Sequence, residues 1–189
     1  MVADIIAPKL SIFFHGVIRR RSFPQCWQSA VVTAISKGAP SPYRENCRPI
    51  SITPILFKVY EKLVFHKLSR SCEKYVFFLP AAQFACRQGL GCADALLTIS
   101  HHLQKSLDTG MECYIVQVDF SAAIDRESHS GLLFKLKCIG VSGSVLFICR
   151  EFLSNRRQRV VVDGATSEWI PIVSCIPKGS VLGPLLFIL

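Results

Sequence analysis

Asp163-Gly164, set between R-Q-R-V-V-V and S-E-W-I-P-I-V, constrains the fold of this chain more than any other short stretch. An Asp-Gly pair suits the two-residue turn in which both central residues take positive φ, and β-forming residues on both sides complete a hairpin. A hairpin is antiparallel, so the chain must build at least some antiparallel sheet. Helix-period patterns surround it, and the two together predict an α+β fold.

Thr53 and Pro54 predict a helix start, with Thr as N-cap and Pro at the first helical position. Leu56, Val59, Tyr60, Leu63, Val64 and Leu68 follow at three- and four-residue spacing. That predicts a buried stripe, with Lys58, Glu61, Lys62 and Lys67 outside. Further helices are predicted up to about Ile18 despite Pro8, from about Ala93 to Leu107, from about Ser130 to Ile139, and from Ser144 to Leu153. Leu132, Leu133, Leu136 and Ile139 form the stripe of the third of these, with Gly140 as its stop. Ala30 to Ile35 predicts a short strand, and Lys37 to Pro49, with Gly38, Pro40, Pro42 and Pro49, a long connection. Tyr114 to Phe120 reads Y-I-V-Q-V-D-F and predicts a strand. Ile115, Gln117 and Asp119 would share one face, and Tyr114, Val116 and Val118 the other.

A chain of 189 residues allows one domain or part of a larger one. Half of it is hydrophobic and 19% is charged, which excludes a disordered, highly charged chain. The mean hydropathy is positive. The greasiest stretch, Ile5 to Ile18, is nevertheless broken by Pro8, Lys9, His15 and Gly16, so no membrane span is expected. Arg19-Arg20-Arg21 follow the apolar run instead of preceding it, which argues against a secretory signal. The 9 cysteines are odd in number and contain no C-x-x-C pair. A reducing, intracellular compartment, nucleus or cytoplasm, is therefore expected. Cys86, Cys92, His101 and His102 match no common zinc spacing, and the cysteines read as ordinary buried thiols. The balance of 22 − 13 = +9 charges favours a polyanionic partner, nucleic acid first. The basic runs at 19–21 and 155–159 read either as solvated faces or as phosphate contacts.

Asp119 to Asp125, D-F-S-A-A-I-D, is the strongest chemical candidate. A carboxylate at the end of an apolar strand can hold a metal ion on a rigid element, and Mg²⁺ binds through one or two carboxylates. Taken alone, these residues are more simply read as a turn cap at Asp119 and a solvated carboxylate at Asp125. C-I-P-K-G-S places a glycine and a hydroxyl before a predicted helix, where free N–H groups suit a phosphate or a close backbone approach.

In order, the chain reads N-C-R-P-I-S-I-T-P-I-L-F-K-V-Y-E-K, Q-F-A-C-R, V-D-F-S-A-A-I-D-R-E-S-H, F-L-S-N-R-R-Q-R-V-V-V-D-G and C-I-P-K-G-S-V-L-G-P-L-L-F. From about Phe23 to Leu189 this resembles the reverse transcriptase of non-LTR, LINE-type retrotransposons of the jockey-like kind. The resemblance implies incomplete fingers and palm of a right-hand polymerase. Residues 1–36 would flank the fingers, 37–110 would be fingers-like, and 111–189 would form a partial palm. It implies that Asp119 is the first catalytic aspartate and a ligand of Mg²⁺, with the Phe120 backbone carbonyl a further ligand. Arg48 and Arg87 would lie near template or nucleotide phosphates. Ile124 would occupy the position of the aromatic that excludes a ribose 2′-hydroxyl, and Lys178, Gly179 and Ser180 would line the nucleotide and template pocket. Arg156, Arg157 and Arg159 would contact the nucleic-acid backbone. The implied partners are an RNA template and a DNA primer; no protein partner is indicated.

The departures are specific. The family usually has Tyr at Cys47, Gly-Phe at Ala85-Cys86, Phe at Ile124, a small apolar residue at Glu127, and G-V-P-Q-G-S where this chain has C-I-P-K-G-S. The F/Y-x-D-D block that carries the other catalytic carboxylates does not occur in these residues and is expected after residue 189. The second Mg²⁺ site is thus incomplete. The apolar run from Val181 to Leu189 predicts continuation into more core, and exposure of this run in its absence. The expectation is a fragment of an RNA-directed DNA polymerase, inactive as this chain. The alternatives are a non-enzymatic nucleic-acid-binding remnant and a relic reading frame without function.

Overall fold

The computed structural model describes residues 2–38, 47–74, 79–120 and 123–189. Helix α1 spans Val2–Arg20 with Pro8 inside it. Strand β1, Ser29–Ser36, and strand β2, Cys47–Ile52, follow, then α2, Ile55–Lys74, and α3, Cys92–Asp108. Helices α4, His129–Cys138, and α5, Gly143–Leu153, precede β3, Arg156–Val162, β4, Ala165–Thr166, and β5, Ile170–Ile172. A short α6, Gly183–Ile188, comes last.

The sheet is five-stranded and mixed, in the order β2-β1-β3-β4, with β5 also paired to β3. β1 runs antiparallel to β2 and parallel to β3, so strands distant in sequence become neighbours. The Asp163-Gly164 turn forms as expected, with φ of 49° and 82°. Positive φ at both positions matches the right-handed twist of the flanking strands.

One face of the sheet is closed by the core. Ala30, Val32 and Arg156 are buried on it, with Ser51 of β2. The core gathers Phe14 of α1, Phe23, Trp27, Phe57 and Tyr60 of α2, and Phe152 of α5. Trp27 stacks on Phe57 at 5.0 Å, and Phe14 lies 5.2 Å from Tyr60. Leu132 and Leu136 bury the stripe of α4, and Gly140 closes that helix at φ 82°.

Several expectations are corrected. Cys47 to Pro49 does not belong to a connection but opens β2. Pro49 is tolerated there because β2 is an edge strand, where a missing N–H breaks no ladder. The buried line of α2 runs Phe57, Tyr60, Glu61, Val64 and Leu68, while Leu56, Val59 and Leu63 are exposed. The stripe is turned because Phe57 and Tyr60 join the aromatic cluster, and this carries Glu61 inward. The Thr53 hydroxyl is buried without a hydrogen-bond partner, so it does not cap α2. Residues 111–120 form no strand and are exposed throughout. β-Formers fit a pleated surface only when a neighbouring strand supplies the other half of the ladder, and the pairings among the described residues do not reach this segment. The run from Val181 to Leu189 is not left exposed: Leu182, Leu185 and Leu186 are buried. Large open apolar side chains are found instead on α3, where Leu96, Leu97 and Leu107 are 64–72% exposed, on Tyr114 to Phe120, and on α1 and the outer side of α2, where Ile5, Ile12 and Leu63 are exposed. Among the described residues no helix is long and apolar enough to cross a membrane.

Candidate functional site

Strand register sets the second face of the sheet. Val31 is opposite Arg159, Ser29 opposite Arg157, and Ile35 opposite Arg48. Positions separated by two share a side, so Arg48, Arg157 and Arg159 fall on one face although their motifs are far apart in sequence. Trp169, in the chain between β4 and β5, lies against two guanidinium groups: Arg157 and Arg159 are each 4.8 Å from its ring centroid. The Arg157 Nε also donates to Ser29 Oγ at 2.9 Å. This gives a cationic face with one half-exposed aromatic ring, able to take a phosphate chain and a stacked base.

Arg156 is corrected out of that face. It is 2% exposed and points into the core, because alternate residues of a strand face opposite sides. Its Nη1 donates to the Phe152 carbonyl at 3.0 Å, and Nε and Nη2 lack partners. Burial lowers its pKa to about 10, against the opposing pull of Glu61.

The Pro177–Ser180 loop abuts the end of this sheet. The Ser51 N–H donates to the Lys178 carbonyl at 2.7 Å. Gly179 has φ 98° and lies so close to β2 that a Cβ would meet the Ser51 carbonyl oxygen at 3.0 Å. Ser180 is buried; its hydroxyl donates to the Pro177 carbonyl at 2.8 Å and accepts from the Gly183 N–H at 3.1 Å. It shapes the turn and leaves Lys178 and Gly179 as the outward members.

Lys178 Nζ contacts Asp125 Oδ2 at 2.7 Å, with both side chains partly exposed. Ile124 is half-buried against the core. The turn that carries both is pinned beneath the loop: the Cys175 N–H donates to the Glu127 carbonyl at 3.1 Å, and the Ile176 N–H to the Ile124 carbonyl at 3.4 Å. The C-I-P-K-G-S and D-F-S-A-A-I-D blocks therefore meet. Asp119 and Phe120 lie on the exposed segment 111–120, outside regular structure. Arg87 is occupied within its own loop, donating through Nη1 to the carbonyls of Pro80 and Gln83, each at 3.2 Å.

Among the described residues no group of three or more His, Cys, Asp or Glu side chains could hold a metal ion, and Cys86 and Cys92 are exposed instead of buried, on a loop and a helix end that the core does not cover. The donor set around Asp119 does not by itself fit a two-ion centre, which needs several carboxylates.

Three residues escaped the sequence reading. The charge of Glu61 points outward in the sequence pattern, although a rotation of the stripe by one position puts it inside. Trp169 had no motif to mark it. Cys175 occupies a left-handed position, φ 75°, where the resembling family has Gly; that substitution was the available signal. Burial raises the pKa of the Cys175 thiol, and the neighbouring Asp125 adds to this.

A family model described as reverse transcriptase (RNA-dependent DNA polymerase) matches residues 35–189. The chain is 32% identical over 180 residues to the probable RNA-directed DNA polymerase from transposon BS of Drosophila melanogaster, covering 94% of this chain and 20% of that protein. It is 31% identical over 179 residues to the RNA-directed DNA polymerase from mobile element jockey of the same organism, covering 94% and 19%. A putative 115 kDa protein in type-1 retrotransposable element R1DM is 28% identical over 192 residues, covering 96% and 17%. The chain spans about a fifth of the length of the curated relatives it matches.

Proposed function

The chain belongs to the reverse transcriptase (RNA-dependent DNA polymerase) family, and we propose that its 189 residues are the part of a retrotransposon RNA-directed DNA polymerase that holds nucleic acid and the incoming nucleotide. In this reading β2 belongs to the fingers-like residues 37–110, and β3 to β5, the loop from Pro177 to Ser180 and the segment around Asp119 belong to the partial palm, residues 111–189. The observation that carries it is the single face that joins Arg48, Arg157, Arg159 and Trp169 and leads, through the Ser51–Lys178 hydrogen bond, to the loop. Arg48, Arg157 and Arg159 would neutralise backbone phosphates, and Trp169 would stack on a base. Lys178 would exchange Asp125 for a phosphate, and the Gly179 peptide would approach the nucleotide closely. Ile124 would lie against the ribose, and Arg87 would stiffen a fingers loop beside the template.

Mg²⁺ would be the metal, with Asp119 and the Phe120 carbonyl as its protein ligands from these residues. Divalent-ion phosphoryl transfer needs further carboxylates, so these residues by themselves bind without catalysing. That also makes the non-enzymatic binding reading compatible with the same face.

The test is a fluorescence titration of the chain with an RNA template annealed to a DNA primer. Affinity in the micromolar range at low salt, falling steeply as salt rises, supports the proposal. Binding that is absent, or indifferent to salt, overturns it.

A further inference from the structure

The loop that presents Lys178 and Gly179 is gripped from behind by a residue that no motif assigns. Glu61 of α2 is fully buried. Its Oε2 accepts the N–H of Val181 at 2.6 Å and of Leu182 at 3.0 Å. Charge-assisted hydrogen bonds of this kind are among the stronger ones in proteins. Its other oxygen, Oε1, has no hydrogen-bond partner among the described residues. Burial raises the pKa of Glu61, while the two N–H groups, Arg156 of β3 and Lys58 on its own helix pull it down.

A buried acid is a costly way to fill space. An apolar side chain of similar volume would pack against Phe57, Val64 and Leu182 without desolvating a charge. What the carboxylate adds is directional: it fixes two consecutive peptide groups just after Ser180. On the opposite side the Ser51 N–H fixes the Lys178 carbonyl at 2.7 Å. Ser51 and Glu61 belong to one continuous stretch, β2 into α2. That stretch therefore holds the loop at both ends, and the loop comes from the other end of the sequence.

We propose that Glu61 is the positioning residue of the Lys178–Ser180 loop. By gripping Val181 and Leu182 while Ser51 grips Lys178, it sets the direction in which Lys178 and the Gly179 peptide face a phosphate. The purpose of the loop rests on the function proposed above; the grip does not.

The test uses the ¹⁵N-labelled 189-residue chain, titrated from about pH 8 to about pH 4. The amide proton shifts of Val181 and Leu182 are expected to move upfield together in a single step as Glu61 protonates. Arg156 and Lys58 are the charged groups that face Glu61; Arg156, with its pKa lowered only to about 10, stays charged in this window, and the Cys175 thiol near it, its pKa raised by burial, stays neutral. Asp125→Asn removes the carboxylate tied to the loop through Lys178, and the step is expected to persist in it. In Glu61→Gln the step vanishes, and the two amides exchange with solvent at least about tenfold faster, while Val31 and Val32 of β1 keep their protection. Two amides that titrate separately or not at all, or that keep their protection in Glu61→Gln, overturn the proposal. Should Glu61→Gln fail to fold, the wild-type titration decides alone. Adding the RNA–DNA primer–template to the same sample separates the two readings. Failure to bind overturns the proposed function and leaves the titration result in place.

Discussion

Gly179 lies against Ser51 with no room for a side chain: a Cβ on Gly179 would stand 3.0 Å from the Ser51 carbonyl oxygen and 3.1 Å from Ile50 Cγ2. The position also has φ 98°, where L side chains are strained. Gly179→Ala is therefore expected to destabilise the chain by about 1–3 kcal/mol, since strain and the clash act together. Urea unfolding measures it. An unchanged midpoint would mean that the loop has another conformation.

Cys175 poses the converse case. Its φ of 75° is a left-handed conformation, held by the bond from its N–H to Glu127 and by the 2.7 Å contact between His129 Nε2 and its carbonyl. Cys175→Ala and Cys175→Gly both delete the sulfur, so comparing them isolates the backbone. The glycine variant is expected to be more stable than the alanine variant by about 1 kcal/mol, the reverse of the order in a helix. Thermal unfolding of the two variants side by side provides the check.

Neighbouring arginines of β3 should behave oppositely. Arg157→Ala and Arg159→Ala are each expected to reduce the salt dependence of primer–template binding by about 0.7–0.9 in log–log slope, one phosphate contact each. Arg156→Ala should leave the slope alone. It should cost about 3 kcal/mol or more of stability, because it leaves Glu61 buried with less compensating charge. Salt titrations paired with urea unfolding separate the two patterns; a changed slope in Arg156→Ala would contradict its burial.

Local signals in the sequence were enough where one element decides its own form. The Asp163-Gly164 turn, the extents of α3, α4 and α5, and Gly140 as a stop follow from spacing and turn chemistry. What depended on a partner was not legible. The face of α2 is set by Phe23 and Trp27, from the stretch before β1, and by Phe152 of α5, all of which reach Phe57. Tyr114 to Phe120 has strand-forming residues, but a ladder is made by two strands. The parallel β1–β3 pairing that brings Arg48 beside Arg157 and Arg159 has no local signature at all. At the site, the resemblance named Arg48, Lys178 and Gly179 from their motifs, yet only strand alternation could remove Arg156 from its run of basic neighbours.

Tyr60 carries a hydroxyl that is buried without a hydrogen-bond partner. Burial pushes its pKa up to about 12. An acid whose folded pKa is raised favours the folded state only while it stays protonated. Its contribution is complete below the unfolded value of about 10 and falls as pH rises toward about 12. Tyr60→Phe is expected to be neutral or stabilising by about 1 kcal/mol at pH 7, because an unpaired buried hydroxyl disappears. The same variant should lose less stability than the parent between about pH 10 and 12. Urea midpoints across that range test it; parallel curves for the two proteins would show that Tyr60 is solvated.

Catalysis offers the sharpest test of what Asp119 can do. Two divalent ions held about 4 Å apart repel each other by about 4 kcal/mol even at the dielectric constant of bulk water, and more in a cleft. Several carboxylates must offset this before a nucleotide triphosphate adds its own charge. These 189 residues contain no F/Y-x-D-D sequence, and among the described residues no group of three or more His, Cys, Asp or Glu side chains could hold a metal ion. Asp119 also sits on an exposed segment that no strand pairing among the described residues reaches, so its carboxylate is not preorganised toward one ion position. The expected outcome is that the 189-residue chain extends no primer on an RNA template with Mg²⁺ or Mn²⁺, beside an intact polymerase control. Asp119→Asn should change neither that result nor the affinity for primer–template, because the proposed binding face lies on β1, β2 and β3. Template-dependent extension abolished by Asp119→Asn would sink this account. It would mean that carboxylates from a second chain complete the centre around Asp119.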